Sequence, residues 1–192
     1  MADAGTFVWQ TVARPPPVAR AADKLPDLLQ PDLDVVFVGT AAGLRSARLG
    51  HYYAGPGNRF WSTLYLVGIT RRELAPDDDA RLLDLGIGFT DLSKVGCGAD
   101  DKITKDQLDL QRFERMLRVY RPRAIAFTGK KAASHWLKRR TTRIAYGRQP
   151  PSVGLPEVFV LSSPSGAARR YWRISSWRAL ADWLRATQPW RF

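Results

Sequence analysis

A short apolar run that stops at a glycine is the feature that most constrains the fold of this chain. Residues 35–38 read Val-Val-Phe-Val, which combines β-branched and aromatic side chains, and Gly39 follows at once. Such a run is typical of a strand that is buried on both faces of a parallel sheet. We therefore expect a central strand that ends at the glycine.

A glycine-rich loop is predicted to follow this strand. Five glycines lie between residues 39 and 58, among arginines, tyrosines and one histidine. Glycine lets a backbone approach a ligand closely, whereas arginine and tyrosine supply charge and stacking faces. Asn58 can cap a following helix, in which Phe60, Leu64 and Val67 share one face. In open α/β sheets, a strand, a loop and a helix in this order place a ligand beyond the carboxyl end of the strand.

The remaining pattern alternates between helices and strands. It predicts helices over residues 71–85, 106–120, 130–137 and 171–186, and strands over residues 124–127 and 158–161. Assembled, these elements predict an α/β fold: a single domain of three layers, α/β/α, with a central, mostly parallel sheet. We expect this domain to span residues 25–192, behind an extended proline- and arginine-rich arm over residues 1–24.

The charge of the chain favours a polyanionic partner. Thirty Lys and Arg residues against eighteen Asp and Glu residues give a net charge of +12. Nucleic acid is the first expectation for such a balance, and an anionic membrane the second. Because no leader-like segment and no stretch of about 20 apolar residues occurs, we expect a cytoplasmic protein without a membrane partner.

Cysteine usage and acid spacing argue against a metal or cofactor. Cys97 is the single cysteine, so one chain cannot form an internal disulfide or a four-cysteine iron–sulfur cluster. Asp77, Asp78 and Asp79 are adjacent, but adjacent side chains diverge on a helix and do not converge on one cation. We therefore expect no cofactor and no metal site.

Residues 50–61 carry a resemblance to a known family. They read Gly-His-Tyr-Tyr-Ala-Gly-Pro-Gly-Asn-Arg-Phe-Trp. This block resembles the first motif of the mismatch-specific uracil/thymine DNA glycosylase branch of the uracil-DNA glycosylase superfamily. In that branch a Gly-Ile-Asn-Pro-Gly loop precedes the block. Here the family's catalytic asparagine falls on Ala41 and its proline on Ala42.

A second segment carries the same resemblance. Residues 163–169 read Ser-Pro-Ser-Gly-Ala-Ala-Arg, similar to the family's Asn-Pro-Ser-Gly-Leu-x-Arg loop, which enters the minor groove. Ser163 replaces the asparagine, and Ala167 replaces the intercalating leucine. A small residue fills the gap left by an extruded nucleotide less well than leucine. We expect Arg169 or Arg170 to do part of that work, and dependence on the opposite guanine to be weaker than is usual in this branch.

The resemblance implies a monofunctional DNA glycosylase that hydrolyses the N-glycosidic bond of uracil, or a related deaminated base, and leaves an abasic site for base excision repair. Tyr53 falls where the family has phenylalanine and is expected to stack on the flipped base. Backbone amides of residues 40–44, which include Thr40, Ala41 and Gly43, are expected to bind the departing base. Asn58, His51 and Ser163 are possible additional donors. Phosphates are assigned to Ser165, the amides around Gly166, and Arg169.

The group that positions the attacking water is open. Ala41 has no polar side chain, so the candidates are Asp91, His51 and Ser163. Asp91 belongs to residues 86–92, which resemble a family segment that places a polar side chain against the base. The alternative is that Asp91 caps the next turn.

Other functions remain open from the sequence. The chain could be a catalytically silent protein that binds damaged DNA, a glycosylase for hypoxanthine, xanthine or ethenocytosine, or a nonspecific basic DNA-binding domain. Residues 138–140, Lys-Arg-Arg, are interpreted as a phosphate-contacting strip, and His135 as structural. We expect a monomer.

Overall fold

The computed structural model describes residues 23–187, which form one five-stranded sheet flanked by helices. The sheet order is β2-β1-β3-β5-β4. Neighbours among the first four strands in this order are parallel, whereas β4 runs antiparallel to β5 at one edge. The strands are β1 (Val35–Ala42), β2 (Ile87–Cys97), β3 (Ala124–Phe127), β4 (Gly147–Arg148) and β5 (Glu157–Val160).

Helices cover both faces of the sheet. Those described are α1 (Leu44–Leu49), α2 (Phe60–Leu66), α3 (Leu110–Tyr120), α4 (Lys130–Leu137) and α5 (Ile174–Thr187). One apolar cluster lies between the sheet and the helices on each face. One contains buried residues of α2 and α5, such as Phe60 and Trp177, and the other contains those of α3 and α4, such as Phe113 and Ala133. The predicted α/β class and three-layer arrangement are therefore confirmed.

The central position of β1 in the sheet accounts for its apolar run. Val35 and Phe37 lie in one cluster, whereas Val36 and Val38 lie in the other. Successive side chains of a strand point to opposite faces, so a strand at the centre of a covered sheet needs apolar residues at every position. All four are 0% exposed.

The predicted end of this strand was wrong. β1 continues through Gly39 to Ala42, because its pairing with β2 extends past Ala41, opposite Ser93, to Ala42, opposite Cys97, across a register shift. The expected long loop is interrupted by α1, so Gly43 alone connects β1 to that helix.

Three predicted helices are shorter than expected. The helix over residues 71–85 is a 3₁₀ helix, Pro76–Leu83. The helix over residues 106–120 begins at Leu110, because the side chain of Asp109 caps it by accepting a hydrogen bond from Arg112 N at 2.8 Å. The helix over residues 171–186 begins at Ile174, because a separate 3₁₀ helix, Gly166–Tyr171, precedes it.

No helix within residues 23–187 is long and apolar enough to cross a membrane. The arm predicted over residues 1–24 lies outside the described residues, except for Asp23 and Lys24.

Candidate functional site

The two loops that carry the family resemblance meet at the carboxyl edge of the sheet. Arg59 N donates a hydrogen bond to the Pro164 carbonyl at 2.9 Å. A Cβ on Gly166 would lie 2.9 Å from the Pro56 carbonyl oxygen, so only glycine allows this approach without displacing the backbone. The loops after β1 and after β5 therefore form one continuous rim.

Asp91 lies beneath this rim, at the point where β2 pairs with the second half of β1. Its register partner is Gly39, and a Cβ at that position would overlap the Asp91 carboxylate. Only 4% of the residue is exposed. No hydrogen bond to the carboxylate is found within residues 23–187. Because the residue lies inside a strand, the alternative interpretation of Asp91 as a turn cap is wrong.

The surroundings of Asp91 make its carboxylate a stronger base than usual. Burial raises its pKa to about 7; Lys94 opposes this shift, Asp27 adds to it, and smaller effects come from Arg112 (lowering) and Asp100 (raising). A carboxylate with such a pKa exchanges its proton near neutral pH, which suits a general base.

Tyr53 provides an aromatic platform beside this carboxylate. Its ring stacks on Phe60, with centroids 3.9 Å apart and planes 7° apart, and its hydroxyl donates to Thr128 Oγ1 at 3.2 Å. Its φ of 55° lies in the left-handed region, so the loop turns sharply at this residue. Burial and the charge of Asp91 raise the Tyr53 pKa, which keeps the phenol neutral. The ring is half-buried and held from two sides.

His51 is engaged by an aspartate rather than free at the site. Its Nδ1 lies 3.4 Å from Asp79 Oδ1, while Asp79 Oδ2 accepts a hydrogen bond from Tyr52 N at 2.9 Å. One of the three adjacent aspartates thus anchors the loop before Tyr53. Within the described part of the chain, no group of His, Cys, Asp and Glu side chains has the arrangement of a metal site.

The prediction that Asn58 caps α2 was wrong, because the N-cap position is taken by Arg59 and Asn58 lies one residue before it. Its Oδ1 accepts a hydrogen bond from Phe60 N at 2.9 Å. Its side-chain oxygen is therefore occupied within the loop.

The predicted amide loop over residues 40–44 is not a loop. Thr40 and Ala41 belong to β1, and Gly43 precedes α1. Thr40 is buried, and its hydroxyl interacts with the Asp100 carboxylate. Ala41 is half-buried near the end of the strand, so it brings a methyl group and its backbone to this edge.

The second loop presents its polar residues to solvent. Ser165 is exposed and caps the following 3₁₀ helix, since its Oγ accepts from Ala167 N at 3.4 Å. Ser163 is half-buried, and its Oγ accepts from Ser165 N at 3.4 Å. Ala167, Arg169 and Arg170 are exposed along the rim.

Sequence reasoning missed three residues at this edge. Thr128, which holds the Tyr53 hydroxyl, directly follows β3, and its position after a predicted strand was a signal for it. Leu44 and Tyr171 are large side chains that are 70% and 67% exposed beside the two loops. Nothing in the sequence pattern separates these two from core residues.

The basic residues 138–140 lie away from the candidate site. Helix α4 begins where β3 ends and runs back along the sheet, so its last turn lies at the opposite edge. Lys138 there lines a groove of about 800 Å³ with Arg121, Leu155 and Pro156. The predicted phosphate strip is thus not continuous with the rim.

Two comparisons with known proteins bear on this geometry. The family model of the uracil DNA glycosylase superfamily matches residues 26–185. The chain is also similar to the solution NMR structure of a putative uracil DNA glycosylase from Methanosarcina acetivorans, with 27% sequence identity and a TM-score of 0.59. That match covers 84% of this chain and 96% of the other.

Proposed function

Because the chain belongs to the uracil DNA glycosylase superfamily, we propose that it is a monofunctional glycosylase that removes uracil from DNA and leaves an abasic site. The block over residues 50–61 supports placement near the mismatch-specific uracil/thymine branch. The net charge of +12 fits a DNA substrate.

The observation that carries the proposal is the buried carboxylate of Asp91 at the carboxyl edge of the sheet. The branch positions water with an asparagine, and Ala41 occupies that position here. Asp91 lies two residues away in strand register, its carboxylate accepts no hydrogen bond from the described residues, and burial raises its pKa to about 7. It is the candidate that best replaces the missing amide.

In this mechanism water adds across the C1′–N1 bond of deoxyuridine. The glycosidic bond breaks toward an oxocarbenium-like sugar, and the uracil leaves as an anion that keeps the bonding electron pair. As the oxygen of the water bonds to C1′, Asp91 accepts a proton from that water. Tyr53 stacks on the extruded base, while Ser165 and Arg169 hold the flanking phosphates.

The test is single-turnover release of uracil from a labelled oligonucleotide. We expect Asp91→Asn to lower the rate by about 10²–10⁴, because it removes the general base. Asp84→Asn, at an exposed acid, serves as the matched control and should leave the rate unchanged. The wild-type rate should rise with pH up to about 7 and then level off. Full activity of Asp91→Asn would refute this role.

The same assay with G·U, A·U and single-stranded substrates tests substrate preference. Ala167 cannot fill the space of an extruded nucleotide as leucine does, so we expect weak dependence on the opposite base. A strong preference for G·U would contradict this expectation. Substrates with hypoxanthine, xanthine or ethenocytosine test the related bases.

A second function is binding of damaged DNA without turnover. Ala41 and Ala167 favour it, since both replace residues on which the branch relies. Tight binding to uracil-containing DNA, with no release of any of these bases, would support it over the glycosylase.

A further inference from the structure

Asp27 gathers three donors next to the candidate catalytic carboxylate. Its Oδ1 lies 2.7 Å from Lys94 Nζ and accepts a hydrogen bond from Thr90 Oγ1, also at 2.7 Å. Its Oδ2 accepts from Arg112 Nη1 at 2.6 Å. One carboxylate thereby binds two cations, one from β2 and one from α3.

Both cations are close enough to Asp91 to influence it. The Lys94 side chain is 5% exposed and that of Arg112 is 16% exposed, so water screens neither charge strongly. Arg112 Nη2 donates to the backbone carbonyl of Asp91. The Asp91 carboxylate nevertheless receives no hydrogen bond from either cation, and the charged groups of both are bonded to Asp27.

We propose that Asp27 is a positioning residue that restrains Lys94 and Arg112 and thereby keeps the Asp91 carboxylate free to act as a base toward water. This inference rests on the proposed function for the catalytic role of Asp91, but its structural part stands on the hydrogen bonds of Asp27.

A direct ion pair would weaken the base. An opposite charge within hydrogen-bonding reach lowers the pKa of a carboxyl group by about 1–3 pH units, and a carboxylate of lower pKa accepts a proton less readily. Asp27 prevents this in two ways: it engages the cations, and its own negative charge raises the Asp91 pKa.

The other groups that face Asp91 do not compensate for Asp27. Asp100 raises the Asp91 pKa more weakly than Asp27 does. Burial and the charge of Asp91 raise the pKa values of the Tyr52 and Tyr53 phenols, so both remain neutral near pH 7. Loss of Asp27 therefore leaves Lys94 and Arg112 as the dominant charges near Asp91.

The experiment measures the Asp91 pKa directly, by carboxyl-carbon NMR titration of the free protein. Asp91→Asn identifies the resonance. Asp27→Asn should lower the Asp91 pKa by about one pH unit or more, and the pH profile of single-turnover uracil release should move down by the same amount. An unchanged or higher Asp91 pKa in Asp27→Asn would overturn the proposal, and would show that Asp27 only neutralises the buried cations.

A second comparison remains informative if Asp27→Asn does not fold with an unpaired lysine in its interior. Lys94→Gln removes that ammonium group and should raise the Asp91 pKa. Adding Asp27→Asn to Lys94→Gln frees Arg112 and should lower the Asp91 pKa again. An Asp91 pKa in this double variant that is equal to or higher than that in Lys94→Gln alone would overturn the proposal. Because NMR reports on the carboxyl group without turnover, an inactive protein with these shifts would refute the glycosylase and retain the role of Asp27.

Discussion

Replacing Asp91 with asparagine removes a buried carboxyl group whose ionisation opposes folding. In the folded chain this group keeps its proton up to a pH of about 7, whereas its ordinary value is 3.8. Between these two values the folded state binds a proton that the unfolded state has released. The free energy of unfolding of the wild type therefore falls as the pH rises through this window.

The size of the effect follows from the width of the window. About three pH units, at about 1.4 kcal/mol for each unit, give a penalty of about 4 kcal/mol once Asp91 is fully ionised. At pH 5 less than half of this penalty has developed. The free energy of unfolding of Asp91→Asn minus that of the wild type should therefore be about 3 kcal/mol larger at pH 8.5 than at pH 5.

Urea unfolding, followed by tryptophan fluorescence at both pH values, measures this difference. Asp84→Asn is the control, because it makes the same change of side chain at an exposed position. A stability difference between Asp91→Asn and the wild type that is the same at pH 5 and pH 8.5 would refute the raised pKa and, with it, the account of Asp91 as a base.

Three further changes test the packing, the rim and the platform. Gly39→Ala should destabilise the protein by about 1–3 kcal/mol in urea unfolding, since the added methyl group overlaps the Asp91 carboxylate. Gly55→Ala is the control and should not destabilise it, because no atom lies within 4 Å of a Cβ at that position. Equal effects of the two substitutions would contradict the contact. Arg169→Ala and Arg170→Ala should each weaken binding to damaged and intact duplexes alike in fluorescence anisotropy, and should reduce the salt slope by about 1; an unchanged slope would remove that arginine from the interface. Tyr53→Phe should retain most of the single-turnover rate, whereas Tyr53→Ala should lose about 10-fold or more with the stacking face; equal rates in these two variants would exclude stacking.

Much of the fold was predictable because its signals are local. The apolar run of β1, the apolar face of α3 formed by Phe113, Met116 and Leu117, and the strand over residues 124–127 indicate a parallel sheet that is covered on both faces. The ends of elements were less predictable, because they depend on partners. β1 continues past Gly39 because β2 pairs with it, and no pattern within β1 shows that pairing.

The candidate site divides in the same way. The sequence by itself determined that two motif-bearing loops follow strands, that the first loop carries an aromatic residue, Tyr53, and that Ala41 lacks the expected amide, since these depend only on residue type and order. Only the tertiary structure shows how the surroundings of Asp91, His51 and Ser163 differ. His51 is engaged by Asp79 and Ser163 by its own loop, whereas Asp91 is buried over a glycine with its neighbouring cations bound to Asp27. The physical reason is that the basicity of a carboxylate depends on burial and on the charges around it, and here Asp27 lies 67 residues from Lys94 and 85 from Arg112 in the chain.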